Sequence, residues 1–92
     1  MNIDQLIQAA ADEYELPVAA IKQKARVWPL PECRWLICEI AQGKIDNQEI
    51  KAALSISSSA LSQNLSKIKH SLKFSSETRS RREGIIKTLK TI

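Results

Sequence analysis

The stretch "PECRWLICEIAQ", running from Pro31 to Gln42 and followed by Gly43, constrains the fold more than any other part of the chain. Pro31 suits the first turn of a helix, and Gly43 suits the left-handed position that ends one. Between them Trp35, Leu36, Ile37, Cys38 and Ile40 cover nearly every side of the cylinder. A helix that is apolar all round has no face to give to water, so other elements must enclose it. This segment is therefore expected to be the central, most buried helix of a helical bundle.

The partners for that enclosure are also written in the sequence. "NIDQLIQAAADEYELP" carries Ile3, Leu6, Ile7, Ala10 and Tyr14 as a helical stripe, with Asn2 as its cap and Pro17 beyond its end. Pro17 suits the first turn of a short second helix, "PVAAIKQKA". In "RVWPLP" the prolines at 29 and 31 forbid a continuous helix and push Trp28 and Leu30 towards extended backbone. Asp46 with Glu49 three residues later has the form of a capping box and starts a fourth helix that reaches Leu54. Ser57 caps a fifth, running to about Leu72. In the tail a sixth carries Ile85, Ile86, Leu89 and Ile92 on one side, weakened by Gly84. With 92 residues, only two glycines and 43% hydrophobic side chains, the expectation is one all-α domain: a compact bundle of about six short helices containing a helix-turn-helix.

The fifth helix is unusual in its polar half. "KAALSISSSALSQNLSKIK" is serine-rich, yet stepping 100° per residue from Leu61 brings Leu65, Ile68 and Leu72 within about 40° of Leu61. Ser59, Gln63, Ser66 and His70 gather on the opposite side, flanked by Ser62 and Lys67. Solvated helices favour Glu and Lys, because serine is a poorer helix former. Short hydroxyl and amide side chains suit a surface that approaches something closely. In a DNA major groove Gln donates and accepts at adenine, Ser bonds most bases, and lysines at the rim reach phosphates. The helix before it, a turn of three to four residues, and Ile50, Ala53, Leu54, Ile56, Leu61 and Leu65 complete a helix-turn-helix pattern.

Charge is distributed in the same sense. Residues 1–20 hold four acids and no base, whereas residues 21–92 hold fourteen bases and six acids. A basic body with an acidic first helix suggests a polyanionic partner on one side of the molecule, with a solvated basic surface as the plain alternative.

Other chemistry is not expected. Cys33 and Cys38 lie five apart in one helix, about 140° around it, so they do not bridge, and no histidine partners them for zinc. They read as buried thiols in a reducing, cytoplasmic setting. The apolar runs are too short to span a membrane, and the acidic start lacks the pattern of a signal peptide. Gly43 and Gly84 build no phosphate-binding loop. Neither paired carboxylates in a pocket nor a Cys–His pair at usable spacing is evident, so no enzyme, cofactor or metal is expected.

From its start to about Leu72 the chain resembles the C-terminal DNA-binding domain of the bacterial replication initiator DnaA, in the Trp-repressor-like superfamily. The resemblance lies in "IDQLIQAAADEYELPVAAIKQKAR", in "PECRWLICEIA" with Arg34 at the family's arginine position, and in the helix pair over residues 50–65. It implies a helix-turn-helix domain over residues 1–74 that binds double-stranded DNA, followed by a basic helical segment, 75–92, packing on or extending from it. It also implies that Lys22, Lys24 and Arg26 form a basic loop meeting backbone and minor groove. The family's Arg-Asp-His-Thr-Thr-Val run is replaced here by "SSSALS", and its turn glycine by Ser55, so a different DNA site would be read. Similar domains occur in transposase-associated proteins.

The expected base-reading residues are Ser58, Ser59, Ser62, Gln63 and Ser66. The expected phosphate or minor-groove residues are Lys22, Lys24, Arg26, Arg34, Lys67, Lys69 and His70. Arg34 has a second reading as an ion-pair partner of Glu32 or Glu39, and Trp28 and Trp35 read as packing. The competing function is a protein-interaction module that docks through the acidic first helix or the basic tail.

Overall fold

Helix α1, Ile3–Tyr14, starts where a reciprocal cap holds it: Gln5 N–H donates to Asn2 Oδ1 (2.8 Å) and Asn2 N–H to Gln5 Oε1 (3.0 Å). In the computed structural model, which describes residues 1–23 and 27–90, the chain continues as α2 (Val18–Lys22), α3 (Leu30–Ala41), α4 (Asn47–Leu54), α5 (Ser58–Phe74) and α6 (Ser76–Lys90). No strand occurs among the described residues. Lys24, Arg26 and Ile92 lie outside them.

Local chemistry sets most of these boundaries. Glu15 leaves α1 in the left-handed conformation (φ 54°), and Leu16 N–H returns to Ala11 C=O at 2.9 Å, closing the last turn. Gly43 (φ 76°) follows α3, where a positive φ is free of steric cost. Asp46 accepts from Gln48 N–H at 2.8 Å, so the cap of α4 forms with Gln48 and not with Glu49. Leu30 departs from the extended backbone expected of it and opens α3, with Pro31 behind it; its side chain is buried in the core.

Helix α3 is the hub. Leu36, Ile37 and Cys38 are fully buried, and α1, α2, α4 and α5 all pack against it. Each wholly buried Leu or Ile removes enough apolar surface from water to contribute about 1.5–3 kcal/mol. The Cα radius of gyration is 11.8 Å, near the roughly 12 Å usual for a single domain of this size.

The three charged residues of α3 each reach a different part of the bundle. Buried Glu32 accepts from the Tyr14 hydroxyl of α1 and from Thr78 Oγ1 of α6 at 3.4 Å. Glu39 holds Arg82 of α6 with two bonds, 2.8 and 3.0 Å. Arg34 turns to α2, donating to the Ile21 carbonyl (2.8 Å), the Ala20 carbonyl (3.1 Å) and the Gln23 carbonyl. The expected pairing of Arg34 with Glu32 or Glu39 is thus corrected: both carboxylates are taken by α1 and α6, while the end of α2 presents carbonyls that need donors.

Helix α6 is an integral part of this core, continuous through Gly84, with Ile85 fully buried and Ile86 and Leu89 packed against the core. A Cβ at Gly84 would sit 2.0 Å from Glu13 Oε1, so the missing side chain leaves room for the Glu13 carboxylate where α1 meets α6. Arg81 completes that contact, its guanidinium 4.4 Å from the Tyr14 ring centroid and its Nη1 donating to the Glu13 carbonyl.

Burial raises the Cys33 thiol from its usual 9.0 to about 12 and the Cys38 thiol to about 11; burial, and then the bond to Glu32, lift Tyr14 well above its usual 10. All three ionise first in the unfolded chain. Their contribution is complete below about pH 9 and is lost as pH climbs towards the folded values. The urea midpoint is therefore predicted to fall steadily between pH 8.5 and pH 11, and an unchanged midpoint would contradict the burial of these groups.

Candidate nucleic-acid interface

The α4–α5 corner follows from a few residues. Ile50 and Leu54 anchor α4 in the core, and Ser55 then takes the left-handed conformation (φ 55°, ψ 48°). Ile56 N–H returns to the Lys51 carbonyl at 3.0 Å, and Ser57 Oγ caps α5 by accepting from Ala60 N–H at 3.1 Å. Three residues, 55–57, make the whole turn. The two helices do not lie along one another: α4 packs on α1, α2 and α3, whereas α5 lies along α3.

Helix α5 keeps its apolar seam inward. Leu61 and Ile68 are buried, Leu65 and Leu72 are half-buried against the core, and Asn64 Nδ2 donates to Cys38 Sγ at 3.7 Å. Its C-terminal carbonyls, at Leu72 and Lys73, accept from Arg79 Nη1 at 2.8 and 3.2 Å. A cation there also suits the negative end of the helix dipole.

The outward face is the one with hydroxyls and amides. Ser58, Ser59, Ser62, Gln63 and Ser66 are all exposed, as are Lys67, Lys69 and His70. No carboxylate occurs anywhere along α5. Ser58 differs from its neighbours because its Oγ accepts from Lys51 Nζ at 2.8 Å, a tie between the helices that the sequence pattern did not reveal. His70 rests against Phe74, ring centroids 4.7 Å apart.

The expected phosphate residues do not form one set. Lys22 is exposed and 3.8 Å from Asp4, a surface pair of small energetic worth. Lys24 and Arg26 lie outside the described residues. Arg34 is buried and committed to the α2 carbonyls, so its expected place at a phosphate is corrected: those acceptors would be left without it. Lys67 and Lys69 remain on the rim of α5.

Beside Gln63 and Lys67 lies a cleft of about 700 Å³ between α5, the 55–57 turn, α3 and the turn before α3. Trp35, half-buried, forms part of its wall, with Lys67 Nζ 5.6 Å from the indole centroid. Trp28 stands at its edge, 62% exposed, and meets Trp35 edge-to-face with centroids 6.0 Å apart. The reading of both tryptophans as packing is therefore corrected for Trp28. The turn closed by Leu30 N–H to Val27 C=O (2.9 Å) places Trp28 at its tip, away from the core. The prolines around it were the available signal.

Asp4 and Asp12 of α1 and Glu15 at its end are exposed, as are Asp46 and Glu49 at the start of α4 and Glu77 and Glu83 of α6. Comparisons with family models, curated proteins and solved structures return no match to the chain.

Left-handed backbone is costly for a residue with a Cβ, about 1–2 kcal/mol, partly offset by the greater freedom glycine has when unfolded. Ser55→Gly is therefore predicted to stabilise the protein by about 0.5–1 kcal/mol. A higher urea midpoint checks this, and a lower one would show that the Ser55 side chain holds the turn.

Proposed function

We propose that the protein binds double-stranded DNA by laying the outward face of α5 in the major groove, in the manner of a helix-turn-helix. One observation carries the reading: a 17-residue helix with no acid, turned seam-inward, leaves Ser59, Ser62, Gln63 and Ser66 open to solvent. An α-helix fits the width of that groove, and short side chains let its backbone come close to the base edges. Gln63 is the base reader of longest reach, able to pair with adenine N6 and N7. Lys67 and Lys69 contact phosphates on either side.

The sequence resemblance to the DnaA C-terminal domain agrees with this role, and a replication-initiator-like, transposase-associated or regulatory protein is the setting in which we place it. The α5 sequence differs from that family's reading run, so the site read is its own. The alternative, a module docking other proteins through the acidic α1 or the basic tail, is weakened on the tail side. Arg79, Arg81 and Arg82 engage, respectively, the end of α5, Tyr14 with Glu13, and Glu39.

Titrating a random duplex at rising salt tests the reading. DNA binding predicts a steep linear fall of log affinity with log salt, and Lys67→Ala with Lys69→Ala is expected to flatten that slope by about two phosphates and weaken all sequences alike. On a site selected from a random oligonucleotide pool, Gln63→Ala is expected to cost about 1–3 kcal/mol of discrimination while sparing random-duplex affinity. Equal losses on both duplexes would remove Gln63 from base reading, and no affinity at low salt would favour the docking module.

A further inference from the structure

The cleft beside α5 has a composition that the groove-reading face does not need. Two indoles border it, Lys67 stands over one of them, and no carboxylate lines it among the described residues. Arg34 adds positive charge from its inner wall, and Gln63 and Asn64 supply amides along its rim. Trp28 keeps most of its surface in water while meeting Trp35 edge-to-face. A water-exposed indole held at the mouth of a cationic cleft is poorly explained by packing, since its burial contributes little. It is well suited to a flat, apolar ring attached to an anion.

We propose that this cleft is a second nucleic-acid site, in which Trp28 stacks on an unpaired DNA base while Lys67 meets the adjoining phosphate. Base–aromatic stacking tolerates any base, so the site recognises strand state and not sequence. The cleft adjoins Gln63 and Lys67 of the groove face, so a duplex seated on α5 brings its nearest frayed or single-stranded end to Trp28. The volume, about 700 Å³, accommodates a nucleotide. The inference rests on the duplex-binding reading for how the strand arrives, while the stacking chemistry stands on the cleft alone.

The test compares three probes with the whole chain: a blunt duplex, the same duplex with a short thymine overhang, and the same overhang with abasic sites in place of thymine. The thymine and abasic probes carry equal charge, so their difference isolates the base. The expected result is that thymine binds about tenfold tighter than its abasic counterpart and quenches indole fluorescence. Trp28→Ala removes that preference and leaves blunt-duplex affinity unchanged, and Trp28→Phe restores most of it. Trp28 is exposed, so the variants are expected to fold, which circular dichroism checks. Equal binding of the thymine and abasic overhangs, or a preference that survives Trp28→Ala, would overturn the cleft site while leaving duplex binding in place. Thymine-dependent binding without any blunt-duplex affinity would support the cleft and overturn the groove reading. No binding of any probe would overturn both.

Discussion

The architecture depends on the lack of a solvent face on α3. Once Leu36, Ile37 and Cys38 are withdrawn from water, the other helices have to be distributed around them, and α1, α2, α4 and α5 each take a side. Hydrophobic burial is not directional, so it does not by itself decide how each neighbour is rotated. The charged residues of α3 do that. Glu32 with Tyr14 and Thr78, Glu39 with Arg82, and Arg34 with the carbonyls of α2 each allow one arrangement of a neighbouring element. Misplacing any of these helices would strand a charge in or near the core, at a cost well above the worth of the correct contact.

That arrangement also sets the surroundings of α5. Helix α1 packs on α3 and α6, α5 lies along α3 and also meets α6, and α5 itself carries no acid. The α6 arginines are drawn into structural bonds, and Lys67, Lys69 and Lys73 are the exposed lysines of α5.

Local signals in the sequence were easily read. The caps at Asn2 and Ser57, the stop at Gly43, the seam of Leu61 and Ile68, and the all-round burial of α3 are each determined by residues a few positions apart. What the sequence concealed depends on partners far along the chain. Glu39 looked like a neighbour for Arg34, but its bond is to Arg82, forty-three residues away. Gly84 looked like a flaw in α6, yet it is the space into which the Glu13 carboxylate of α1 fits. Trp28 looked like core because tryptophan is so often core, and only the direction of the turn that carries it shows otherwise. The cleft escaped notice for the same reason, being built from four separate parts of the chain.

The central claim is that the hydroxyl-and-amide side of α5 is the contact surface. Nuclear magnetic resonance of the uniformly labelled chain, titrated with duplex DNA at low salt, addresses it residue by residue. The account predicts that the backbone amides of residues 57–70 and the side-chain amide of Gln63 shift most, while those of residues 3–15 hold their positions. Shifts concentrated on α1 and α6, with α5 unmoved, would contradict it.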